Sequence, residues 1–261
     1  MRKRRRTTRH TSQDIVDLTQ SPTSSPSSKS RLAEEKKEEG NQLYNLDQYR
    51  EATLKYTEAI DLCPQQVYYG NRSACYLMLG QPRQALEDAR TATSLDPEFS
   101  KGWNRIARCC VMLGDTVSAR QALTKLGNLG EENAAEQRNI EMIERMVSDS
   151  QQDYQAGNYR KSLWCLDKAL EISTYSTSLK TSRAECLAFL GRYAEASETA
   201  NSVLQIDNMN ADAIYVRGLC LYYEDNVDRA FSHFTQVLRF APDHVRAKEI
   251  YKVRGEEEYV D

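Results

Sequence analysis

Residues 33–64 read AEEKKEEGNQLYNLDQYREATLKYTEAIDLCP, and the pattern that they begin decides the fold. The small residue Ala52 of this stretch recurs as Ala85 and Ala119, at spacings of 33 and 34 residues. Small side chains let two helices cross closely, and a period near 34 residues is typical of stacked helix–turn–helix units. The stretch is therefore predicted to be the first of several helical hairpins.

The period continues after a single break. Ala119 and Ser162 are 43 residues apart, whereas Ser162, Ala196 and Ala230 are again separated by 34 residues each. The longer interval contains residues 127–146, GNLGEENAAEQRNIEMIERM, in which apolar residues follow a helical spacing. We therefore expect a lengthened helix that divides repeats 1–3 from repeats 4–6.

Glycines and prolines keep the same period. Gly80 and Gly114 are 34 residues apart, at places where turns are expected. Pro64, Pro97 and Pro242 should each end the second helix of a hairpin, because proline cannot continue a helix. Large side chains between these markers are expected to fill the core: Leu43, Tyr49, Tyr56, Leu77, Trp103, Leu123, Tyr159, Leu166, Tyr193, Tyr222 and Phe234.

This pattern resembles the tetratricopeptide-repeat family. The resemblance implies an all-α superhelix, an α-solenoid, of about six helix–turn–helix repeats with an amphipathic capping helix near residues 243–254. The expected organisation is a disordered basic and Ser/Pro-rich arm (1–30), repeats 1–3 (31–130), a linker helix with repeats 4–6 (131–242), and the capping helix with an acidic tail (243–261).

Composition narrows the classes of function. The formal net charge is −3, so no global field favours a nucleic acid or a membrane as partner. The three histidines are isolated and the seven cysteines include no CxxC pair, which favours reduced thiols and no metal site. No catalytic triad or glycine-rich phosphate motif is recognisable. We therefore expect a cytoplasmic protein, also nuclear if its basic arm acts as an import signal, that is not an enzyme and needs no cofactor.

Five polar residues in the first helices of repeats 1–3 are candidate ligand contacts. Lys37 and Asn41 are four residues apart and share one helix face, as do Lys101 and Arg105. Asn71 lies between them in repeat 2. Stacking of the repeats should bring these three cations and two amides together, and such a set of hydrogen-bond donors favours an anion. A peptide that ends in an acidic residue presents two neighbouring carboxylates.

The set resembles the dicarboxylate clamp of tetratricopeptide co-chaperones, which hold the EEVD C-termini of heat-shock protein 70 and heat-shock protein 90 class chaperones. The resemblance implies that Lys37, Asn41, Asn71, Lys101 and Arg105 bind the peptide carboxylates. Asn41 and Asn71 would hold the main-chain carboxylate. Lys101 and Arg105 would contact the side-chain and terminal charges.

Repeats 4–6 lack these donors. The matching places carry Val147, Gln151, Ser182, Asp212 and Val216, so no second carboxylate clamp is expected. Segments such as AECLAFLGRYAEA and NADAIYVRGLCLYYED nevertheless resemble tetratricopeptide co-chaperones that also contain a J domain. The sequence has no HPD tripeptide, so we do not expect it to stimulate a chaperone ATPase.

The N-terminal arm supports an alternative function. Residues 2–6 form a basic run that suits nuclear import. Ile15, Val16, Asp17 and Leu18 resemble a SUMO-interacting motif, a short strand that pairs with the edge of a sheet. Two functions therefore remain open: a non-catalytic co-chaperone adaptor that binds chaperone tails, and a nuclear SUMO-reading scaffold whose repeats hold another protein.

Overall fold

The computed structural model describes the backbone of residues 28–257 and the side chains of residues 28–251. The described residues form thirteen α-helices and no strand. The predicted all-α architecture of six helical hairpins and one further helix is confirmed. The chain divides into two compact units, Met1–Ile140 (unit 1) and Glu141–Asp261 (unit 2).

Unit 1 contains three helical hairpins. Their helices are α1 (Ser28–Asn45), α2 (Tyr49–Leu62), α3 (Gln66–Met78), α4 (Pro82–Leu95), α5 (Ser100–Leu113) and α6 (Thr116–Asn128). The predicted crossing residues Ala52, Ala85 and Ala119 are fully buried in α2, α4 and α6. Gly40 shows how closely the first pair approaches, since an added Cβ would lie 2.7 Å from a ring carbon of Tyr56.

Unit 2 repeats the arrangement. The chain continues as α7 (Ala134–Gln155), α8 (Tyr159–Ile172), α9 (Thr177–Phe189), α10 (Tyr193–Leu204), α11 (Ala211–Tyr223), α12 (Val227–Phe240) and α13 (Val245–Glu257). The division between the units falls within α7, whose 22 residues make it the longest of the described helices. Ser162, Ala196 and Ala230 are fully buried in α8, α10 and α12.

The predicted helix ends are confirmed. α2, α4 and α12 each end two residues before a proline, at Leu62, Leu95 and Phe240. Gly114 follows α5 with φ 81°, in the left-handed region that favours glycine, and its amide donates back to the last turn of the helix. Short turns of this kind reverse the chain between the two helices of a hairpin.

The core differs in part from the predicted set. Of the large residues expected to fill it, only Tyr56, Leu166 and Phe234 are buried, and the other eight are half-buried. For two of these eight, Tyr159 and Tyr193, the rings stack near helix ends on Phe189 and Tyr223, which belong to other helices.

Six of the seven cysteines are buried and Cys63 is half-buried, and all seven are free thiols. Burial raises the pKa of Cys75 and Cys109 to about 12, so both thiols stay protonated at neutral pH. None of the described helices is long and apolar enough to cross a membrane.

Candidate functional site

The five predicted carboxylate-binding residues lie on the first helices of the three hairpins of unit 1. Lys37 and Asn41 are on α1, Asn71 is on α3, and Lys101 and Arg105 are on α5. Helix α3 packs against both α1 and α5, so the three helices form one layer. Lys37 is only 2% exposed and Arg105 is 7% exposed. Long cationic side chains are rarely buried to this degree unless they are paired.

Two amides and a buried phenol form the centre of this site. Nδ2 of Asn71 donates to Oδ1 of Asn41 at 3.1 Å, and the Tyr56 hydroxyl donates to the same oxygen at 2.7 Å. Burial raises the pKa of Tyr56 well above its ordinary value, so the hydroxyl remains a donor. Because Oδ1 of Asn41 is fixed as an acceptor, Nδ2 is the group that Asn41 offers elsewhere, and it donates to Glu38 at 2.7 Å.

Lys37 is held one helical turn before Asn41. Its ammonium group is paired with a carboxylate oxygen of Glu34, and the hydroxyl of Tyr68 on α3 donates to the other oxygen at 3.2 Å. Burial raises the pKa of Tyr68 above its ordinary value, which keeps this hydroxyl protonated. The Glu34 side chain is half exposed, whereas Lys37 is buried. The Glu34 carboxylate therefore pairs with Lys37 from the side that faces the solvent.

Arg105 connects α5 to α3. Its guanidinium donates to the backbone carbonyl of Gly70, the residue before Asn71. Glycine is needed here because a Cβ would lie 2.8 Å from the ring of Phe99. Lys101 differs from the other four, since its side chain is exposed one turn before Arg105.

The structure therefore places four of the five predicted residues in one connected group. Asn41 contacts Asn71 directly, Lys37 is one turn from Asn41, and Arg105 bonds to the residue next to Asn71. Lys101 lies on the same helix as Arg105, and its side chain is exposed. The group can donate hydrogen bonds from ammonium, amide and guanidinium groups to carboxylate oxygens, which are acceptors only.

Sequence reasoning missed Glu34 and Glu38, two carboxylates that this group contacts in the described part of the chain. Glu34 pairs with Lys37 and Glu38 accepts from Asn41. Each lies three residues before its partner on α1, a spacing that places both members on one helix face. The three-residue spacing of each pair is the sequence signal that could have identified Glu34 and Glu38.

The matching places of unit 2 carry different chemistry. Val147 and Ser182 are half-buried and Val216 is buried, while Gln151 and Asp212 are exposed. None of these five side chains is basic. The absence of a carboxylate clamp of this kind in unit 2 stays a prediction.

Two further predictions concern a SUMO-interacting motif and a metal site. Ile15, Val16, Asp17 and Leu18, the predicted SUMO-interacting residues, lie outside the described residues, so that interpretation stays a prediction. Within the described part of the chain, no group of three or more histidine, cysteine, aspartate or glutamate side chains is arranged to hold a metal ion.

The hairpins and their period define the tetratricopeptide-repeat class of fold. A family model described as "Tetratricopeptide repeat" matches residues 76–128. The crystal structure of the P58(IPK) TPR domain is similar over 87% of this chain and 68% of that chain, with a TM-score of 0.65 and 21% sequence identity. At this identity the likeness shows the fold alone.

Relatives in sequence narrow the class further. The chain is 42% identical over 221 residues to DnaJ homolog subfamily C member 7 of Homo sapiens. The matched region covers 83% of this chain and 45% of that relative. The chain is 48% identical over 73 residues to Hsp70-Hsp90 organizing protein 1 of Glycine max, covering 28% of this chain and 13% of the relative. The chain thus spans less than half the length of these curated relatives. The predicted resemblance to tetratricopeptide-repeat co-chaperones is confirmed.

Proposed function

We propose that unit 1 is a peptide clamp that holds the C-terminal EEVD tail of heat-shock protein 70 and heat-shock protein 90 class chaperones. The chain would then act as a non-catalytic co-chaperone adaptor. The observation that carries the proposal is the buried donor group of Lys37, Asn41, Asn71 and Arg105 on three adjacent helices. The relative named for organizing Hsp70 and Hsp90 makes the same class of partner the first to test.

The geometry suits a peptide end with two carboxylates. The amide Nδ2 of Asn41 is directed to a carboxylate oxygen in the present structure, namely Oε2 of Glu38. A terminal carboxylate can replace Glu38 there, and an acidic side chain can replace Glu34 beside Lys37. Hydrogen bonds between charged partners are stronger than neutral ones, and burial of the donors strengthens them further.

Lys101 has a separate role in this proposal. Its exposed position one turn before Arg105 allows it to reach a ligand from the solvent side. Arg105 has two roles, because it also bonds to Gly70 and so joins α5 to α3. Substitution of Arg105 would therefore affect both folding and binding. Lys101 is the better test of binding because its side chain is exposed.

The test is fluorescence anisotropy with a labelled peptide that ends in EEVD, using Lys101→Ala. Loss of one charged contact should cost about 2 kcal/mol, or about 30-fold in Kd. Lys125→Ala is the matched control, because Lys125 is an exposed lysine of unit 1 on α6, a second helix. Its affinity should equal that of the unchanged protein. A Lys101→Ala protein that binds the peptide normally would remove Lys101 from the clamp and overturn the proposal in this form.

A further inference from the structure

Unit 2 contains a polar cluster of its own, and its chemistry is opposite to that of unit 1. Glu185 on α9 and both Asp212 and Tyr215 on α11 contact the guanidinium group of Arg246 on α13, and Tyr154 on α7 bonds to Glu185. Glu185 is only 4% exposed. A carboxylate buried to this degree needs a cation and hydrogen-bond donors, since an unpaired buried charge is strongly unfavourable.

The guanidinium is bound on its edge and on its face. Its NH1 donates to Oε2 of Glu185, and its NH2 donates to Oδ1 of Asp212 at 2.7 Å. The guanidinium carbon lies 5.0 Å from the ring centroid of Tyr215, within the range of a cation–π contact. The Tyr154 hydroxyl donates to the remaining oxygen of Glu185 at 2.9 Å. The site therefore offers carboxylates to the edge of a planar cation and an aromatic ring to its face.

The protonation states favour arginine binding at neutral pH. Burial raises the pKa of Tyr154 above its ordinary value, so its hydroxyl stays a donor to Glu185. The pKa of Asp212 is lowered, first by its hydrogen bond with His244 and also by the charge of Arg246, so Asp212 is ionised. Two carboxylates on the edge and a ring on the face fit the flat guanidinium fork better than the compact ammonium of lysine.

Helix α13 supplies this arginine with few apolar contacts of its own. Ala247 is its only fully buried side chain among the described ones, and Ile250 and Tyr251 are partly buried against unit 2. Val245 is 65% exposed. The polar contacts of Arg246 therefore provide much of the specificity with which α13 is held.

We propose that Tyr154, Glu185, Asp212 and Tyr215 form an arginine-binding site on unit 2. Arg246 occupies this site within the chain. An arginine-bearing segment of a partner protein takes its place when α13 detaches. The charge complementarity of the site identifies the occupant as a peptide with an exposed arginine, and the site is independent of the clamp in unit 1.

The probe is a labelled peptide with the sequence of residues 241–251, APDHVRAKEIY, titrated by anisotropy against the full chain. Arg246→Ala removes the competing side chain and should tighten binding by about tenfold or more. Combining it with Glu185→Gln should abolish that gain. A peptide with lysine in place of its arginine should bind about tenfold more weakly to the Arg246→Ala protein.

Lys248→Ala is the matched control, because Lys248 is also on α13 and its ammonium group pairs with the exposed Asp243. It should leave peptide affinity unchanged. Should Arg246→Ala lose its helical circular dichroism, Arg246→Lys replaces it, since it keeps a cation while removing the fork. The proposal is overturned if neither variant binds the peptide more tightly than the unchanged chain, or if Glu185→Gln leaves the gain intact.

Discussion

Unit 1 and unit 2 place different chemistry on the same helical scaffold. In unit 1, Gly40 packs against Tyr56, and in unit 2, Gly218 packs against Phe234, with an added Cβ at 2.7 and 2.6 Å from the respective rings. Both pairs are separated by 16 residues. The tyrosine hydroxyl is present only in unit 1, where it fixes the side chain of Asn41.

The residues beside the scaffold positions set the chemistry. Asn41 lies 11 residues before Ala52, and Glu185 lies 11 residues before Ala196, so the two occupy the same repeat position. Asn41 donates to a carboxylate, whereas Glu185 accepts from a guanidinium. The comparison teaches that the small and aromatic residues fix the hairpin, while the neighbouring positions decide the sign of the charge that it can bind.

The largest expected effect tests the shared scaffold. Phe234→Ala should lower the free energy of unfolding of unit 2 by about 3–5 kcal/mol, because it empties a fully buried ring site beside Gly218. Urea denaturation followed by circular dichroism measures the loss. Phe240→Ala, at the exposed end of the same helix, should cost less than about 1 kcal/mol. Equal losses in the two variants would show that the ring does not support the hairpin.

The next effect compares two arginine–aspartate pairs. Arg72 donates to both oxygens of Asp88 in unit 1, and the Asp88 side chain is 8% exposed, whereas Asp167, the partner of Arg183 in unit 2, is 48% exposed. Asp88→Ala should cost about 3 kcal/mol because it leaves the partly buried guanidinium of Arg72 without its counter-ion. Asp167→Ala should cost less than about 1 kcal/mol, since water replaces the lost partner. Denaturation curves of the two variants that coincide would refute this ranking.

A smaller effect isolates the hydroxyl that distinguishes the units. Tyr56→Phe keeps the ring against Gly40 but removes the donor to Asn41, and it should cost about 1 kcal/mol of stability. Affinity for an EEVD peptide should fall several-fold, because the Asn41 amide loses one of the two donors that fix its orientation. Calorimetric denaturation and anisotropy measure the two quantities. Unchanged peptide affinity would mean that Asn41 needs no such support.

The smallest effect concerns the internal competitor in unit 1. Glu34→Gln should tighten EEVD peptide binding about two- to fivefold, because a half-exposed carboxylate no longer neutralises Lys37. Glu35→Gln, the exposed neighbour on α1, is the control and should bind as the unchanged protein does. Weaker binding by Glu34→Gln would show that Glu34 supports the ligand rather than competes with it.

Much of the fold could be predicted because the crossing residues have one physical requirement. A small side chain is needed wherever two helices approach closely, so Ala52, Ala85 and Ala119 mark the hairpins regardless of their neighbours. Burial of the large residues was less predictable. The rings of Tyr159 and Tyr193 stack at hairpin ends on aromatic residues from other helices. A local sequence pattern does not reveal these partners.

The candidate site could be predicted as a set of donors but not as a network. The spacing of Lys37 and Asn41 places them on one face, but it does not reveal that Tyr56, which was assigned to the core, also holds Asn41. Glu185 was missed because repeat 5 was matched to repeat 2, in which the clamp residue Asn71 corresponds to Ser182 and not to Glu185. Its pairing with Arg246 joins residues 61 positions apart, which no local pattern indicates.

The central claim is that the donors of unit 1 hold the terminal carboxylate of a peptide. The most direct measurement is the affinity of the unchanged protein for two peptides that end in EEVD, one with a free C-terminal carboxylate and one with a C-terminal amide. We predict that the amide binds about 30-fold more weakly, because it removes a charge from the donors and adds a donor of its own. Equal affinities for the acid and the amide would contradict the clamp.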